Sequence, residues 1–359
     1  MLIMRGAFSL QWHITDRCDQ RCKHCYIWSN SEMIDTNNEL DLYQCKLVVG
    51  QFIDFCKIVD CLPLITVTGG DPILSPNFWD ILSYINERKI RVNLLANPYH
   101  LNPKILSEME KCGVRSYQLS LDGMEKVHDS IRRVGSFRAT LEAIKLINKT
   151  KIRSTIMSTV SLFNYHEIAQ VARLCATYNV GGFGFARYNS PNMTLCKDGG
   201  EKTEINCQIS PFEYRSFLAQ MWKVYCELAD SKTFFMLKDH LFKAYLYEEG
   251  IFHVEPNKEK IVYDGCNCGI RHLTLLPNGD IYACRRFNSP IGNIYRNKFE
   301  EAFFSENMGK YRRYDKYKGC SACELLGYCR GCHAVSAEYT GDFFNKDPQC
   351  WRLVGQNVL

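Results

Sequence analysis

Short apolar strands alternate with helical segments six times before residue 209, and this alternation constrains the fold more than any other feature. In the first strand, apolar residues at positions 8, 10, 12 and 14 alternate with polar ones, as in a strand with one buried face. Further strands are predicted over 64–68, 92–96, 116–121, 154–160 and 182–187. Helices are predicted over 42–56, from Ser75 with Pro76 in the first turn, and over 103–112, 137–148 and 165–178. This order predicts an α/β fold with a parallel sheet, and six units favour a partial, open (β/α)6 barrel over a closed eight-fold one.

The pattern changes after residue 209. Ser210, Pro211 and Glu213 form a capping-box sequence that predicts a helix reaching about Leu228. A charged, helical stretch follows to about residue 260. The pair Asn278-Gly279 then predicts a hairpin between strands at 273–276 and 281–284. We therefore predict three regions: a partial barrel at 1–209, a helical bridge at 210–262 and a small cysteine-rich domain at 263–359.

Composition narrows the classes of protein. Hydrophobic residues at 46% and charged residues at 23% are ordinary for a globular chain. No apolar run is long enough to cross a membrane, and the N-terminus lacks a signal-peptide pattern. Nineteen cysteines without an export signal predict a cytoplasmic protein whose thiols bind metals. The net charge of +5 is modest, and the basic stretch 310–318 is more typical of a solvated face than of a nucleic-acid site.

Three cysteines follow the first strand directly. Cys18, Cys22 and Cys25 have the spacing C-x3-C-x2-C. Three thiolates can hold three irons of a four-iron cubane, and the fourth iron is then left for an outside ligand, because a fully protein-bound cluster needs four cysteines. A zinc knuckle is the main alternative, but zinc sites favour CxxC pairs, which this spacing does not supply.

The triplet resembles the fingerprint of the radical S-adenosylmethionine (SAM) enzymes. In that family the open iron binds the amino and carboxylate groups of SAM, and one electron splits SAM to a 5′-deoxyadenosyl radical. The resemblance implies that Cys18, Cys22 and Cys25 are both catalytic residues and cluster ligands. Tyr26 follows the last cysteine and, with His24, flanks it where the family has an aromatic residue.

Other strand ends extend the resemblance. Thr68-Gly69-Gly70-Asp71-Pro72 resembles the family's Gly-Gly-Glu-Pro segment, where bare backbone and a carboxylate meet the ammonium group; here aspartate replaces glutamate. Ser120-Leu121-Asp122-Gly123 resembles the segment after the fourth strand, which contacts SAM. Arg132, Arg133 and Arg138 are alternatives for binding the SAM carboxylate, and Ser158, Asn164 and Arg187 are either pocket-lining or structural. The predicted cofactor-binding residues are Tyr26, Gly69, Gly70, Asp71, Asn97, Ser120, Asp122 and Arg132.

Eight further cysteines lie in the C-terminal region, enough for two fully ligated four-iron clusters. Their spacing resembles the SPASM domain, which carries two auxiliary clusters in many radical SAM peptide maturases. The resemblance implies one cluster on Cys320, Cys323, Cys329 and Cys350, and another on Cys266, Cys284 and Cys332 with Cys268 as fourth ligand. The implied cofactors are three [4Fe–4S] clusters and SAM. Two structural zinc ribbons are the alternative, because 320–323 and 329–332 are CxxC pairs.

The resemblance implies a radical SAM oxidoreductase that modifies a peptide, forming a cross-link or an oxidised residue in a ribosomally made natural product. Its partners would be that peptide, with or without a leader segment, and a reducing donor such as flavodoxin or ferredoxin. Few residues precede the first strand, so leader recognition would come from elsewhere or not be needed. Alternatives are a tetrapyrrole-modifying enzyme, a sulfatase-maturase-like oxidase, an iron–sulfur electron carrier and a zinc-binding module. Arg285 disfavours the sulfatase maturases, which usually have an aspartate beside this cysteine.

Overall fold

The computed structural model describes residues 6–27, 38–196, 202–255 and 261–352 of the chain. The strands in these ranges are β1 (Ala7–His13), β2 (Leu62–Thr68), β3 (Arg91–Leu95), β4 (Val114–Ser120), β5 (Arg153–Val160), β6 (Gly182–Arg187), β7 (Asn192–Cys196), β8 (Lys202–Asn206), β9 (Phe234–Phe235), β10 (His272–Leu275), β11 (Asp280–Tyr282) and β12 (Pro290–Asn293). The helices are α1 (Leu42–Ile58), α2 (Phe78–Glu87), α3 (Pro103–Lys111), α4 (Glu125–Ile131), α5 (Ser136–Ile147), α6 (Ile168–Thr177), α7 (Pro211–Glu227), α8 (Leu241–Glu248), α9 (Phe299–Phe304), α10 (Glu306–Gly309) and α11 (His333–Thr340). None of these helices is long and apolar enough to cross a membrane.

The chain forms two compact units. The first comprises Met1–Ser120, Arg132–Ile156 and Cys268–Arg312. The second comprises Leu121–Ile131, Met157–Asn267 and Arg313–Leu359. Strands β1 to β6 alternate with helices along the chain as predicted, and the α/β partial-barrel fold is thereby confirmed.

The sheet of the first unit has the order β12-β11-β10-β1-β2-β3-β4. Strands β1 to β4 are parallel, so their carboxyl ends lie at one edge. Strand β10 also pairs in parallel with β1, with Ser9 opposite His272. The predicted hairpin at Asn278-Gly279 is confirmed: β10 and β11 are antiparallel, and Gly279 has φ +84°, which glycine adopts without strain.

Aromatic packing anchors β1 in this unit. Phe8 is 1% exposed and contacts the rings of Phe52, Phe55 and Phe303 at centroid distances of 6.2, 4.8 and 5.3 Å. The alternation of apolar and polar residues predicted for β1 is therefore confirmed: one face of the strand is buried. This packing anchors the amino-terminal part of β1, and the cysteine loop follows the opposite, carboxyl end of the strand.

One predicted helix start is wrong. Ser75 and Pro76 do not begin a helix; Pro72–Leu74 forms a 3₁₀ turn, and α2 begins only after Asn77. Ser75 has an extended backbone, and its hydroxyl accepts a hydrogen bond from the backbone N–H of Asn77 at 3.4 Å. The serine therefore shapes a turn that precedes the helix.

The second unit contains β6 paired in parallel with β9, and a separate antiparallel hairpin of β7 and β8. The capping box of α7 is confirmed, because the Ser210 hydroxyl accepts from the N–H of Glu213 and the Glu213 carboxylate accepts from the N–H of Ser210. In this unit the sequence pattern did not predict α4, β9, α11 or the β7–β8 hairpin. The predicted domain limits at residues 209 and 262 remain a prediction. The compact units divide the chain differently, since the β10–β12 segment belongs to the first unit.

Candidate active site and auxiliary cluster site

The loop after β1 carries Cys18, Cys22 and Cys25, each of them half-buried and without a disulfide. Two backbone hydrogen bonds keep the loop compact: the N–H of Cys22 donates to the carbonyl of Gln20, and the N–H of Cys25 donates to the carbonyl of Cys22, both at 3.1 Å. The Gln20 side chain donates to the hydroxyl of Ser136 at 2.7 Å in a buried contact. The three thiols are therefore presented on one tethered loop in the first unit.

Two of the predicted SAM-contacting residues lie against these sulfurs. The Asn97 amide donates to Sγ of Cys18 at 3.4 Å, and the Arg132 guanidinium lies 3.7 Å from Sγ of Cys22. Burial raises the pKa of the Cys18 thiol, and the Asn97 hydrogen bond partly offsets that shift. A hydrogen-bond donor and a cation beside the sulfurs favour the thiolate form that iron requires. The donor set and its surroundings thus fit a cluster held by three cysteines.

Gly69 and Gly70 are required by packing against the cysteine loop. Gly69 has φ +146°, and a Cβ there would lie 2.0 Å from the carbonyl oxygen of Thr15. A Cβ on Gly70 would lie 2.2 Å from the carbonyl oxygen of Arg17. The N–H groups of Gly70 and Asp71 donate to these two carbonyls at 2.8 and 2.7 Å. The glycines therefore join the end of β2 to the loop that carries the cysteines, a steric reason that the sequence did not reveal.

Asp71 is fully buried, and neither carboxylate oxygen has a well-formed hydrogen bond. Burial raises its pKa to about 7, against the opposing influence of His100. Nε2 of His100 lies 3.8 Å from Asp71 and 2.9 Å from Asp19. The three side chains form one group beside Cys18, because Asn97 also donates to the Asp19 carboxylate at 3.1 Å. Such a group can bind a cation, including an ammonium.

Tyr26 lies beneath a cation from the β11–β12 connection. The Arg285 guanidinium lies over the Tyr26 ring at 4.5 Å, and its Nε is buried without a hydrogen-bond partner. Arg285 immediately follows Cys284, a predicted auxiliary ligand. Arg285 thus brings a positive charge close to Tyr26, the residue after Cys25.

Several other predicted residues have structural contacts. In the second unit the Asp122 carboxylate accepts from the N–H of Thr159 at 2.8 Å, and Asn164 donates to the Asp122 carbonyl. Ser158 donates to the carbonyl of Leu121. Arg187 is fully buried and bonded to acidic residues. Ser120 ends β4 in the first unit. A role for Asp122 or Ser120 in SAM binding remains a prediction.

Four C-terminal cysteines of the second unit line one cavity: Cys320, Cys323, Cys329 and Cys350. Burial raises the pKa of the Cys320 thiol to about 12 and that of Cys329 well above its usual value. Four thiols that line one cavity are the number of donors that a complete [4Fe–4S] cluster requires, and four thiolates can also bind a zinc ion. The grouping of these four matches the set implied by the spacing.

The remaining four predicted auxiliary ligands are divided between the units. Cys268 and Cys284 belong to the first unit, and Cys266 and Cys332 belong to the second. Cys284 is held by Ser289, whose hydroxyl accepts from its N–H and donates to its carbonyl at 3.0 and 2.7 Å. Their assignment to a single cluster remains a prediction.

Two family models match the chain. Residues 12–175 match the radical SAM superfamily, and residues 266–324 match the SPASM iron–sulfur cluster-binding domain. The chain belongs to the radical SAM superfamily and carries a C-terminal SPASM domain. These domains imply iron–sulfur clusters and SAM binding.

Particular relatives fall into two functional groups. An AdoMet-dependent heme synthase of Methanosarcina barkeri is 26% identical over 98% of both proteins. The mycofactocin maturase MftC of Mycobacterium tuberculosis is 23% identical over 95% of this chain and 82% of its own length. Among solved structures, Streptococcus suis SuiB bound to S-adenosylmethionine superposes with a TM-score of 0.73 at 19% identity, covering 97% of this chain and 78% of SuiB. The last likeness concerns the fold.

Some residues of the site were not found from the sequence. Asp19 lies within the cysteine loop, directly after Cys18, and His100 follows β3, but only the fold brings them to Asp71. Arg330 stands between two cysteines of the motif, and its burial is equally invisible in the pattern. For Arg330 the only sequence signal is its position, because a charged residue there lies between two predicted metal-binding cysteines.

Proposed function

We propose that this protein is a peptide-modifying radical SAM enzyme. The observation that carries the proposal is that the chain has two different sets of cysteines. Three lie in the loop after β1, which leaves one iron of a four-iron cluster without a protein ligand, and four line one cavity in the C-terminal region. Relatives that mature peptides support it, among them MftC and the subtilosin biosynthesis protein AlbA of Bacillus subtilis. SuiB has also been solved with its precursor peptide SuiA.

The residues of the loop would bind and orient the cofactor. When bound, a four-iron cluster on Cys18, Cys22 and Cys25 would supply the electron that splits SAM and so generates the 5′-deoxyadenosyl radical. The ionised Asp71 would pair with the SAM ammonium, because neither oxygen of this buried carboxylate has a well-formed hydrogen bond. Arg132 would hold the SAM carboxylate near Cys22, since a guanidinium can grip a carboxylate through two hydrogen bonds. The four cysteines of the SPASM cavity and the other four would hold two auxiliary clusters.

The position of Arg285 weighs against a sulfatase-maturase-like activity. That chemistry needs a proton acceptor beside the auxiliary cysteine, and a guanidinium does not accept a proton at neutral pH. Arg285 lies over Tyr26 as a cation. We therefore place the product among cross-linked or otherwise oxidised peptides.

The test begins with anaerobic reconstitution, measurement of iron and zinc, and addition of SAM with dithionite. We expect about twelve irons per chain and formation of 5′-deoxyadenosine. A peptide fraction from host cells grown in D₂O should then raise the yield of 5′-deoxyadenosine. It should also transfer deuterium to the 5′-deoxyadenosine. Cys18→Ala should abolish cleavage, whereas Cys226→Ala, an exposed thiol outside the motifs, should leave it intact. Zinc in place of iron would indicate a binding module, and iron without SAM cleavage would indicate an electron carrier.

A tetrapyrrole-modifying activity is the second candidate. It is favoured by the full-length match to the heme synthase of M. barkeri, which covers 98% of both proteins. The same assay separates the two candidates when an iron porphyrin bearing deuterated propionate side chains replaces the peptide fraction. Deuterium transfer from the porphyrin, with none from the peptides, would overturn the peptide proposal.

A further inference from the structure

Three charged residues of the described chain line the four-cysteine cavity: Lys346, Asp347 and Arg352. A [4Fe–4S] core held by four thiolates carries a net negative charge, because the thiolate charges exceed that of the core. A negative group removed from water is stabilised by a nearby cation that no carboxylate already neutralises. The ion pairs of these three residues therefore indicate which of them can act on a bound cluster.

Two of the three charges are already paired with other side chains. The Asp347 carboxylate bonds to the Arg187 guanidinium through two contacts of 2.7 Å. The Arg352 guanidinium pairs with the Glu324 carboxylate at 2.5 Å and lies 3.6 Å from that of Glu248. Neither Asp347 nor Arg352 thus brings an uncompensated charge to the cavity.

Lys346 differs from both, because its ammonium group has a neutral acceptor. Its Nζ donates a hydrogen bond to the backbone carbonyl of Arg352. Within the ranges that the structure describes, no carboxylate lies within ion-pair distance of this nitrogen. A carbonyl satisfies an N–H donor but does not neutralise the charge. Among the described residues that line the cavity, Lys346 is therefore the one with an uncompensated charge.

The Lys346 side chain also lies beside the segments that carry two of the cysteines. A Cβ on Gly319, directly before Cys320, would lie 3.4 Å from Cδ of Lys346, so the alkyl stem packs against this segment. The ammonium end bonds to the residue two positions after Cys350. Burial raises the pKa of both thiols, and the positive charge of Lys346 acts against that shift in both. The charge thus acts on two of the four sulfurs.

We propose that Lys346 is a positioning residue that supplies the counter-charge of an auxiliary cluster bound in this cavity and fixes the Cys350 segment through the carbonyl of Arg352. This inference rests on the auxiliary clusters of the proposed function, but not on the identity of the substrate. A fixed positive charge stabilises the reduced form of a cluster more than the oxidised form, because the reduced form is more negative by one electron. Lys346 therefore raises the reduction potential of this cluster.

The experiment uses full-length protein in a Cys18→Ala, Cys22→Ala, Cys25→Ala background, which removes the signal of the SAM cluster. Lys346→Gln keeps a hydrogen-bond donor without the charge, and Lys346→Arg keeps the charge. Both variants are reconstituted anaerobically, and the auxiliary potentials are measured by redox titration followed by electron paramagnetic resonance. The signal lost in Cys320→Ala identifies the cluster in question. We expect Lys346→Gln to shift its midpoint to more negative values and Lys346→Arg to stay near the parent value.

Lys223→Gln is the matched control, because Lys223 is an exposed residue of α7 that does not line the cavity. It removes the same net charge from the protein and should leave the midpoint unchanged. An unchanged midpoint in Lys346→Gln overturns the proposal, and so does a shift of equal size in Lys346→Arg or in Lys223→Gln.

Iron content decides the outcome if Lys346→Gln fails to assemble the cluster. The counter-charge role then requires that Lys346→Arg restores iron, and equal loss in both variants overturns it. A parent protein that holds zinc or no cluster at this site also overturns the proposal. Because no substrate is added, failure of the peptide hypothesis would leave the potentials unaffected and is therefore distinguishable.

Discussion

At the residue scale, Asp71 combines complete burial with a nearly neutral pKa. Burial raises that pKa from 3.8 to about 7, so the folding stability linked to this carboxyl falls between about pH 4 and pH 7 as the unfolded chain ionises first. The same shift makes the carboxylate available only as the pH rises through neutrality. A residue that binds an ammonium would therefore work best above pH 7.

We predict that SAM affinity of the reconstituted protein increases about tenfold between pH 6 and pH 8, because one carboxyl with a pKa near 7 ionises over that interval. Asp71→Asn should weaken binding and remove this dependence. Equilibrium dialysis with labelled SAM across the pH range measures both effects. Asp80→Asn, an aspartate in the first turn of α2, is the control and should retain the slope. A slope that persists in Asp71→Asn would assign the titration to another group.

At the scale of elements, the contact between the β2 end and the cysteine loop leaves no room for a side chain. Gly70→Ala would place a methyl group 2.2 Å from the carbonyl oxygen of Arg17, so the loop has to move. We expect the variant to lose iron from the SAM cluster and to form little 5′-deoxyadenosine. Gly50→Ala is the matched control, because it lies inside α1 with nothing within 4 Å, and it should retain iron. Full iron content in Gly70→Ala would contradict the steric argument.

The start of α7 offers a second test at this scale. Ser210→Ala removes the side-chain acceptor for the N–H of Glu213 and should lower the free energy of unfolding by about 1 kcal/mol. Ser216→Ala, whose hydroxyl bonds only to the carbonyl of Phe212 within the same helix, should change it by less than about 0.5 kcal/mol. Guanidinium titrations of the two variants measure the difference. Equal effects would show that the cap contributes nothing specific.

The six strands could be predicted because each is a short apolar or alternating segment, and the segments that bound it are also recognisable from the local sequence. The start of α2 could not, because Ser75 shapes a turn with the same residue types that cap helices. The pairing of β10 with β1 was also missed, since it joins segments far apart in the chain. At the site, the cysteines were predictable from spacing, whereas His100, Arg285 and Arg330 acquire their meaning from neighbours that only the fold supplies.

At the scale of the whole molecule, buried ion pairs connect distant parts of the second unit. Arg187, at the end of β6, bonds to Asp239 and to Asp347 near the C-terminal cysteine. Asp347 in turn accepts from the N–H of Cys332 at 2.7 Å. Burial alone would raise the pKa of Asp347, but Arg187, together with backbone hydrogen bonds from Cys332 and Gln349, lowers it below its usual value. These interactions therefore stabilise the fold until acid titrates the carboxylate.

Arg187→Met should destabilise the second unit by about 3–5 kcal/mol, because it leaves two buried carboxylates without their partner. Arg173→Met removes an exposed pair with Glu227 and should cost at most about 1 kcal/mol. Calorimetry at pH 7 compares the two variants. As the pH falls below the usual carboxyl range, the difference between wild type and Arg187→Met should shrink. A difference independent of pH would mean that packing, not charge, is responsible.

The parallel pairing of β10 with β1 has a consequence for synthesis on the ribosome. Strand β1 emerges first, yet one of its edges is covered only when residues 272–275 have been made. An uncovered strand edge is prone to pair with other chains. This edge of β1 is thus open to self-association until these residues have been made. We therefore expect the dependence of folding on chaperones to fall sharply once the β10–β11 hairpin has emerged from the ribosome.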